Sequence, residues 1–150
     1  MTNEQAIARP TTRRAALSIA IGPSTVARHL LLASLALTFF WFGVLKVIGL
    51  SPVVPLLKAT FPFMADEPYL SLLGLFEIAI AFGLVIKRLR SVTLVLIILH
   101  LFGTLSIVVI NPHVLFAPQF PVLTMEGEFV VKNLILIAAS LVLLTQTSDP

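Results

Sequence analysis

Four long apolar stretches decide what this chain can fold into. They run from about Leu30 to Leu50, Tyr69 to Ile86, Val92 to Ile110 and Phe129 to Thr145. Each is close to the roughly 17 to 25 residues that cross a hydrocarbon core. They are continuous runs, without the alternation of a barrel strand, and four strands could not close a barrel. The expected fold class is therefore all-α, an integral membrane four-helix bundle. Composition agrees: 58% of the 150 residues are hydrophobic and 11% charged, too few charges to cover a globule in water. The helices and their connections account for these 150 residues, so no second domain is expected within them.

The connections divide into two kinds. Lys87, Arg88 and Arg90 mark a short basic turn, whereas "SPVVPLLKATFPFMADEP" and "NPHVLFAPQFPVLTMEGE" carry the prolines that stop helices. Arg9, Arg13, Arg14 and Arg28 precede the first helix, against Lys58 alone in the two proline-rich loops. The positive-inside rule then places both termini and the basic turn in the cytoplasm, with residues 51–68 and 111–128 outside. Residues 1–29 are expected to be a mobile basic tail lying against anionic headgroups, and residues 146–150 a short C-terminal tail. The run "TTRRAALSIAIG" resembles an export signal but is short, and Gly22-Pro23-Ser24 is expected to break it, so cleavage is not expected. The net charge of +3 speaks for membrane orientation and not for nucleic acid.

There is no cysteine, which removes disulfides, thiol catalysis and thiolate metal sites from this chain. Phosphate-loop, dinucleotide-binding and paired-histidine motifs are absent as well. His113, Glu126 and Glu128 share one side, but lack the spacing of a metal site; Glu126 and Glu128 suit a helix N-terminus instead. No metal is expected, and no cofactor is identified.

What remains is an intramembrane polar set, each charged member placed there against roughly 2.5 to 3.5 kcal/mol on insertion scales. Its members are Lys46, Glu77, His100, Lys132 and Asn133. A rise of about 1.5 Å per residue puts Glu77 about 12 Å below the outer surface, with His100 near the midplane and both lysines near outer helix ends. Helical spacing aligns Phe39, Phe42, Gly43 and Lys46 on one face, Gly74, Glu77, Ile78 and Ala81 on a second, and Thr93, His100, Gly103 and Thr104 on a third. Small residues beside the ionisable ones let helices approach closely, so these faces should turn inward. Glu77 is then the counter-ion for Lys46 or for Lys132. Lys132 has a further option in Glu128, one turn earlier, and either lysine can instead snorkel to the headgroups.

The segments "FFWFGVLKVIGL", "LLGLFEIAIAFGLVIKRLR", "FGTLSIVVINP" and "EGEFVVKNLILIAASLVLL" together resemble the DoxX-like superfamily of small four-helix membrane proteins, especially its YkgB-type branch, over about residues 30–145. On that resemblance Lys46, Glu77, Lys132 and Asn133 fall on recurrent polar positions. The resemblance implies a four-helix bundle that serves membrane redox systems. One branch is similar to a subunit of thiosulfate:quinone oxidoreductase, another is linked to superoxide dismutase and a sulfurtransferase, and the YkgB-type branch to resistance to reactive chlorine.

Two functions follow as expectations. The first is a non-catalytic accessory or scaffolding component of an envelope redox or oxidant-stress system, not an enzyme by itself. The alternative is a quinone-binding oxidoreductase subunit, with Phe39, Phe40, Trp41 and Phe42 lining a lipophile pocket and Lys46, Glu77 and His100 handling protons. A small transporter or proton-conducting protein ranks third. The expected surroundings are the lipid bilayer, a bacterial cytoplasmic membrane, with redox or stress-response proteins or a second copy of the chain as partners.

Overall fold

The computed structural model describes residues 11–147, with side chains described from Thr25 to Gln146. Its elements in chain order are α1 (Thr11–Val47), α2 (Val54–Thr60), a 3-10 turn (Pro62–Ala65), α3 (Glu67–Val85), α4 (Arg90–Leu105), α5 (Ile107–Ile110), α6 (Pro112–Leu115) and α7 (Met125–Thr147). Among the described residues the only extended pairing is an isolated antiparallel bridge between Phe116 and Leu123. Four stretches are long and apolar enough to cross a membrane: Thr25–Val47, Glu67–Val85, Arg90–Ile110 and Met125–Gln146. The fold is an all-α four-helix membrane bundle.

The helix ends have local causes. The first helix stops at Val47, earlier than the apolar run suggests, because Gly49 takes a φ of 73° that favours glycine. Gly49 N–H donates to the Lys46 carbonyl at 3.2 Å and Leu50 N–H to the Leu45 carbonyl at 2.9 Å, the paired bonds of a glycine-terminated helix. Lys46 thereby sits in the last turn, where a cation suits the helix dipole. At the other end α1 runs back through Gly22 and Pro23, where the sequence suggests a break. A proline deletes one intrahelical hydrogen bond, not the whole ladder. The mobile tail expected over residues 1–29 lies outside the described residues as far as residue 10, and the C-terminal tail does so from residue 148.

The helix α7 begins cleanly: the Thr124 hydroxyl accepts from Gly127 N–H at 3.0 Å, and Glu126 and Glu128 lie in the first turn. The third span is interrupted at Ser106, whose hydroxyl donates to the Gly103 carbonyl at 2.6 Å between α4 and α5.

Packing pairs α1 with α3 and α4 with α7. The first pair meets backbone to backbone: a Cβ built on Gly43 would lie 2.6 Å from the Gly74 carbonyl oxygen, and one on Gly74 would lie 2.6 Å from that of Gly43. Only glycine at both positions allows this approach. Two apolar clusters result. One joins Leu32, Leu35, Phe39, Ile80, Leu84, Leu94, Ile97 and Leu143 toward the α3–α4 turn; the other joins Leu56, Ile107, Leu115 and Val130 under the proline-rich loops. Outward residues such as Leu37, Leu72, Phe82, Leu99 and Ile135 are exposed and apolar, as a lipid-facing surface requires.

Candidate functional site

Between the two clusters, three helices bring ionisable side chains together. Lys46 on α1 donates from Nζ to Glu77 Oε2 on α3 at 2.6 Å, and His100 Nε2 on α4 lies 3.1 Å from Glu77 Oε1. The Lys46 and Glu77 side chains are only 7% and 6% exposed. A buried pair of this kind survives only when each charge keeps its partner, because neither has water to fall back on. When Glu77 is the carboxylate of the pair, both its oxygens accept, and His100 donates through Nε2–H.

Aromatic rings enclose this trio. The His100 ring sits 6.1 Å from that of Phe39 and 5.7 Å from that of Phe76, and the Lys46 ammonium lies 6.0 Å from the centre of the Phe42 ring. Apolar walls lower the local dielectric and strengthen each polar contact between them. The Gly43–Gly74 approach, one turn from Lys46 and Glu77 respectively, holds α1 and α3 close enough for the ion pair to form.

The trio forms one wall of a cavity of about 300 Å³. The helices contribute Phe39, Phe42, Leu101, Phe129 and Asn133, and the first proline-rich loop folds over it with Val53, Leu57, Phe61 and Met64. A second cavity of about 230 Å³ lies toward the loops, lined in part by Ser51, Pro52 and Glu126, and shares Phe42, Lys46, Val53 and Phe129 with the first. Lys46 thus stands in the walls of both.

The five polar residues singled out from the sequence separate in space. Lys46, Glu77 and His100 meet, and Asn133 is 4% exposed on the cavity wall. Lys132 lies apart: its side chain is 68% exposed, and Nζ reaches only Glu128 Oε2, at 3.4 Å. Consecutive helical residues point about 100° apart, so turning Asn133 inward turns Lys132 out. Glu77 therefore takes Lys46, not Lys132, as its counter-ion.

The aromatic run divides in the same way. Phe39 and Phe42 line the cavity, whereas Trp41 is 60% exposed and Phe40 lies outward against Phe82. The inward face of α1 passes through Leu32, Leu35, Phe39, Gly43 and Lys46, which leaves positions 40 and 41 facing lipid. The pocket expected to include Trp41 excludes it. Among the described residues, His113, Glu126 and Glu128 form no group able to hold a metal ion.

Some of the site was not anticipated. Of the loop residues over the cavity, Leu57 lies in α2 and Met64 in the 3-10 turn, with Val53 and Phe61 at the two ends of α2, all in elements too brief to show a hydrophobic period. Phe76 directly precedes Glu77 and Phe129 directly follows Glu128, and that adjacency to a carboxylate is the one sequence signal that could have singled them out. No family model, curated protein or solved structure matches the chain.

Proposed function

We propose that this membrane bundle binds a small lipophile of the quinone class and serves a membrane redox or oxidant-stress system as a DoxX-like subunit without a reaction of its own. The cavity is the observation that carries this reading: about 300 Å³, apolar and aromatic over most of its wall, with a buried Lys46–Glu77–His100 group on one side. Small-molecule sites begin near ~300 Å³ and combine such walls with a few placed polar groups. A ring carbonyl directed at Lys46 would find an ammonium that spends one of its three N–H donors on Glu77.

The test is binding in lipid nanodiscs. A short-chain quinone analogue should bind saturably, one per chain, and a second quinone should displace it. The double variant Lys46→Met with Glu77→Gln, which removes both charges together, should lose most of that binding. Uptake equal to that of protein-free nanodiscs overturns the reading. Dialysis is the better readout, since Trp41 faces away from the cavity.

A second reading is favoured by the ion pair itself. At 2.6 Å, beside the Gly43–Gly74 contact, Lys46–Glu77 ties α1 to α3, as a non-catalytic scaffold would require. Either reading shares one topology: both termini and the basic turn cytoplasmic, the proline-rich loops outside, in a bacterial cytoplasmic membrane. The uneven distribution of arginine and lysine supports it. The cysteine-free chain allows a direct check. An impermeant thiol reagent on intact cells should label Asp66→Cys and spare Arg88→Cys; the reverse pattern inverts the topology.

A further inference from the structure

One polar side chain in the cavity has no partner. The hydroxyls of Thr38, Thr104 and Ser106 donate to the carbonyls of Ser34, His100 and Gly103, and Lys46 and His100 each have a partner in Glu77. Asn133, 4% exposed and on the same wall, makes no side-chain hydrogen bond among the described residues. A carboxamide has two N–H donors and a carbonyl acceptor. Its polar atoms are not sealed in the packing, since among the described residues only the Thr60 hydroxyl is both fully buried and without a partner, so the amide opens on the cavity and a molecule there can meet it.

We infer that Asn133 is a ligand-reading residue, and that it hydrogen-bonds an uncharged carbonyl, amide or hydroxyl group on a ring-sized apolar molecule. The charge state follows from the wall. Lys46 and Glu77 balance each other at 2.6 Å, and Asn133 is neutral, so a charged head would enter without a free counter-charge. The apolar body follows from Phe39, Phe42 and Phe129 around it. Lys132 cannot take this role, since it faces outward and reaches Glu128. The inference rests on the proposed ligand-binding reading and adds the residue and head-group chemistry that give it selectivity.

Four probes with one ring system separate these claims: naphthalene, naphthamide, naphthoquinone and naphthoate, each measured by equilibrium dialysis against the full chain in nanodiscs. The parent should bind naphthamide and naphthoquinone about tenfold more tightly than naphthalene, the scale of one buried hydrogen bond made rather than missed. Naphthoate should gain nothing over naphthalene. Asn133→Leu should erase the polar preference and leave naphthalene unchanged, with a thermal midpoint no lower than the parent's, because it removes an unmet amide. Asn133→Ser, shorter and still polar, should lose the naphthamide preference too and serves as the second variant if the leucine protein misfolds.

A preference that survives both substitutions overturns the inference, as does tightest binding of naphthoate. The two readings fail separately. If naphthamide binding depends on Asn133 while naphthoquinone binds no better than naphthalene, the quinone class falls and Asn133 stands. If naphthoquinone binds the parent and Asn133→Leu equally, the quinone class stands and the role of Asn133 falls. If all four probes merely partition as into empty nanodiscs, water alone occupies the cavity and both fall.

Discussion

The two halves of the bundle are built on opposite principles. Toward the α3–α4 turn, Leu35, Leu84, Leu94, Ile97 and Leu143 fill the space between helices at 2% exposure or less, and the buried hydroxyls described there, Ser140 and Thr93, bond back to the Leu136 and Leu89 carbonyls at 2.8 and 2.9 Å. Toward the proline-rich loops, the interior holds an ion pair, a histidine, an unpartnered amide and two adjoining cavities. The same four helices build both. A close-packed half supplies a fixed framework, and only against such a framework can the other half leave space open without collapsing onto it. The interior ionisable side chains of this bundle gather where packing is incomplete.

The comparison breaks most sharply at Glu77. Replacing it by alanine strands Lys46 among apolar walls, and removing one member of a buried pair costs about 3 to 5 kcal/mol. The thermal midpoint in detergent should fall accordingly. Glu77→Gln combined with Lys46→Met should recover part of that loss, and the non-additive remainder measures the coupling. Glu77→Gln combined with Lys132→Met should recover none, because Lys132 does not reach Glu77. Rescue by Lys132→Met would place the wrong lysine in the interior.

A smaller loss is expected where the two halves join. Gly43→Leu or Gly74→Leu forces side-chain atoms against a facing carbonyl that a Cβ alone would approach to 2.6 Å, and overpacking of this kind costs about 1 to 3 kcal/mol. Because these glycines set the α1–α3 distance, the substitutions should also weaken lipophile binding. Ala33→Leu, exposed on the same helix and outside that approach, makes the control. Full binding in Gly43→Leu would show that the cavity does not depend on the close contact.

The close-packed half was legible in the sequence and the open half only in part. Long apolar runs fixed the number and type of spans, since no other structure satisfies the backbone in lipid. Small residues at helical spacing beside Lys46 and Glu77 pointed their faces inward, where the ion pair forms. Lys132 was harder, because two adjacent polar residues at a helix end give no periodic signal of which one faces in. The same holds for Trp41 among four consecutive aromatics, of which only Phe39 and Phe42 line the cavity. The roof over the cavity was illegible: Val53, Leu57, Phe61 and Met64 come from one seven-residue helix and the segments flanking it, where tertiary packing and not local pattern decides orientation.

The least effect is expected at Lys132, and it is the sharpest check on the asymmetry because its neighbour behaves differently. The Lys132 side chain is 68% exposed and that of Glu128 60%, at 3.4 Å and one helical turn apart. Exposed pairs of this kind contribute about 0 to 1 kcal/mol. Lys132→Met should therefore leave the thermal midpoint and probe binding close to those of the parent. Asn133→Leu, one residue later, should leave stability equal or higher while abolishing selectivity for polar head groups. Each outcome follows from a single rotation of about 100° along α7. Should Lys132→Met change probe binding and Asn133→Leu leave it intact, α7 is turned the other way in the membrane, and the polar wall of the cavity belongs to the lysine.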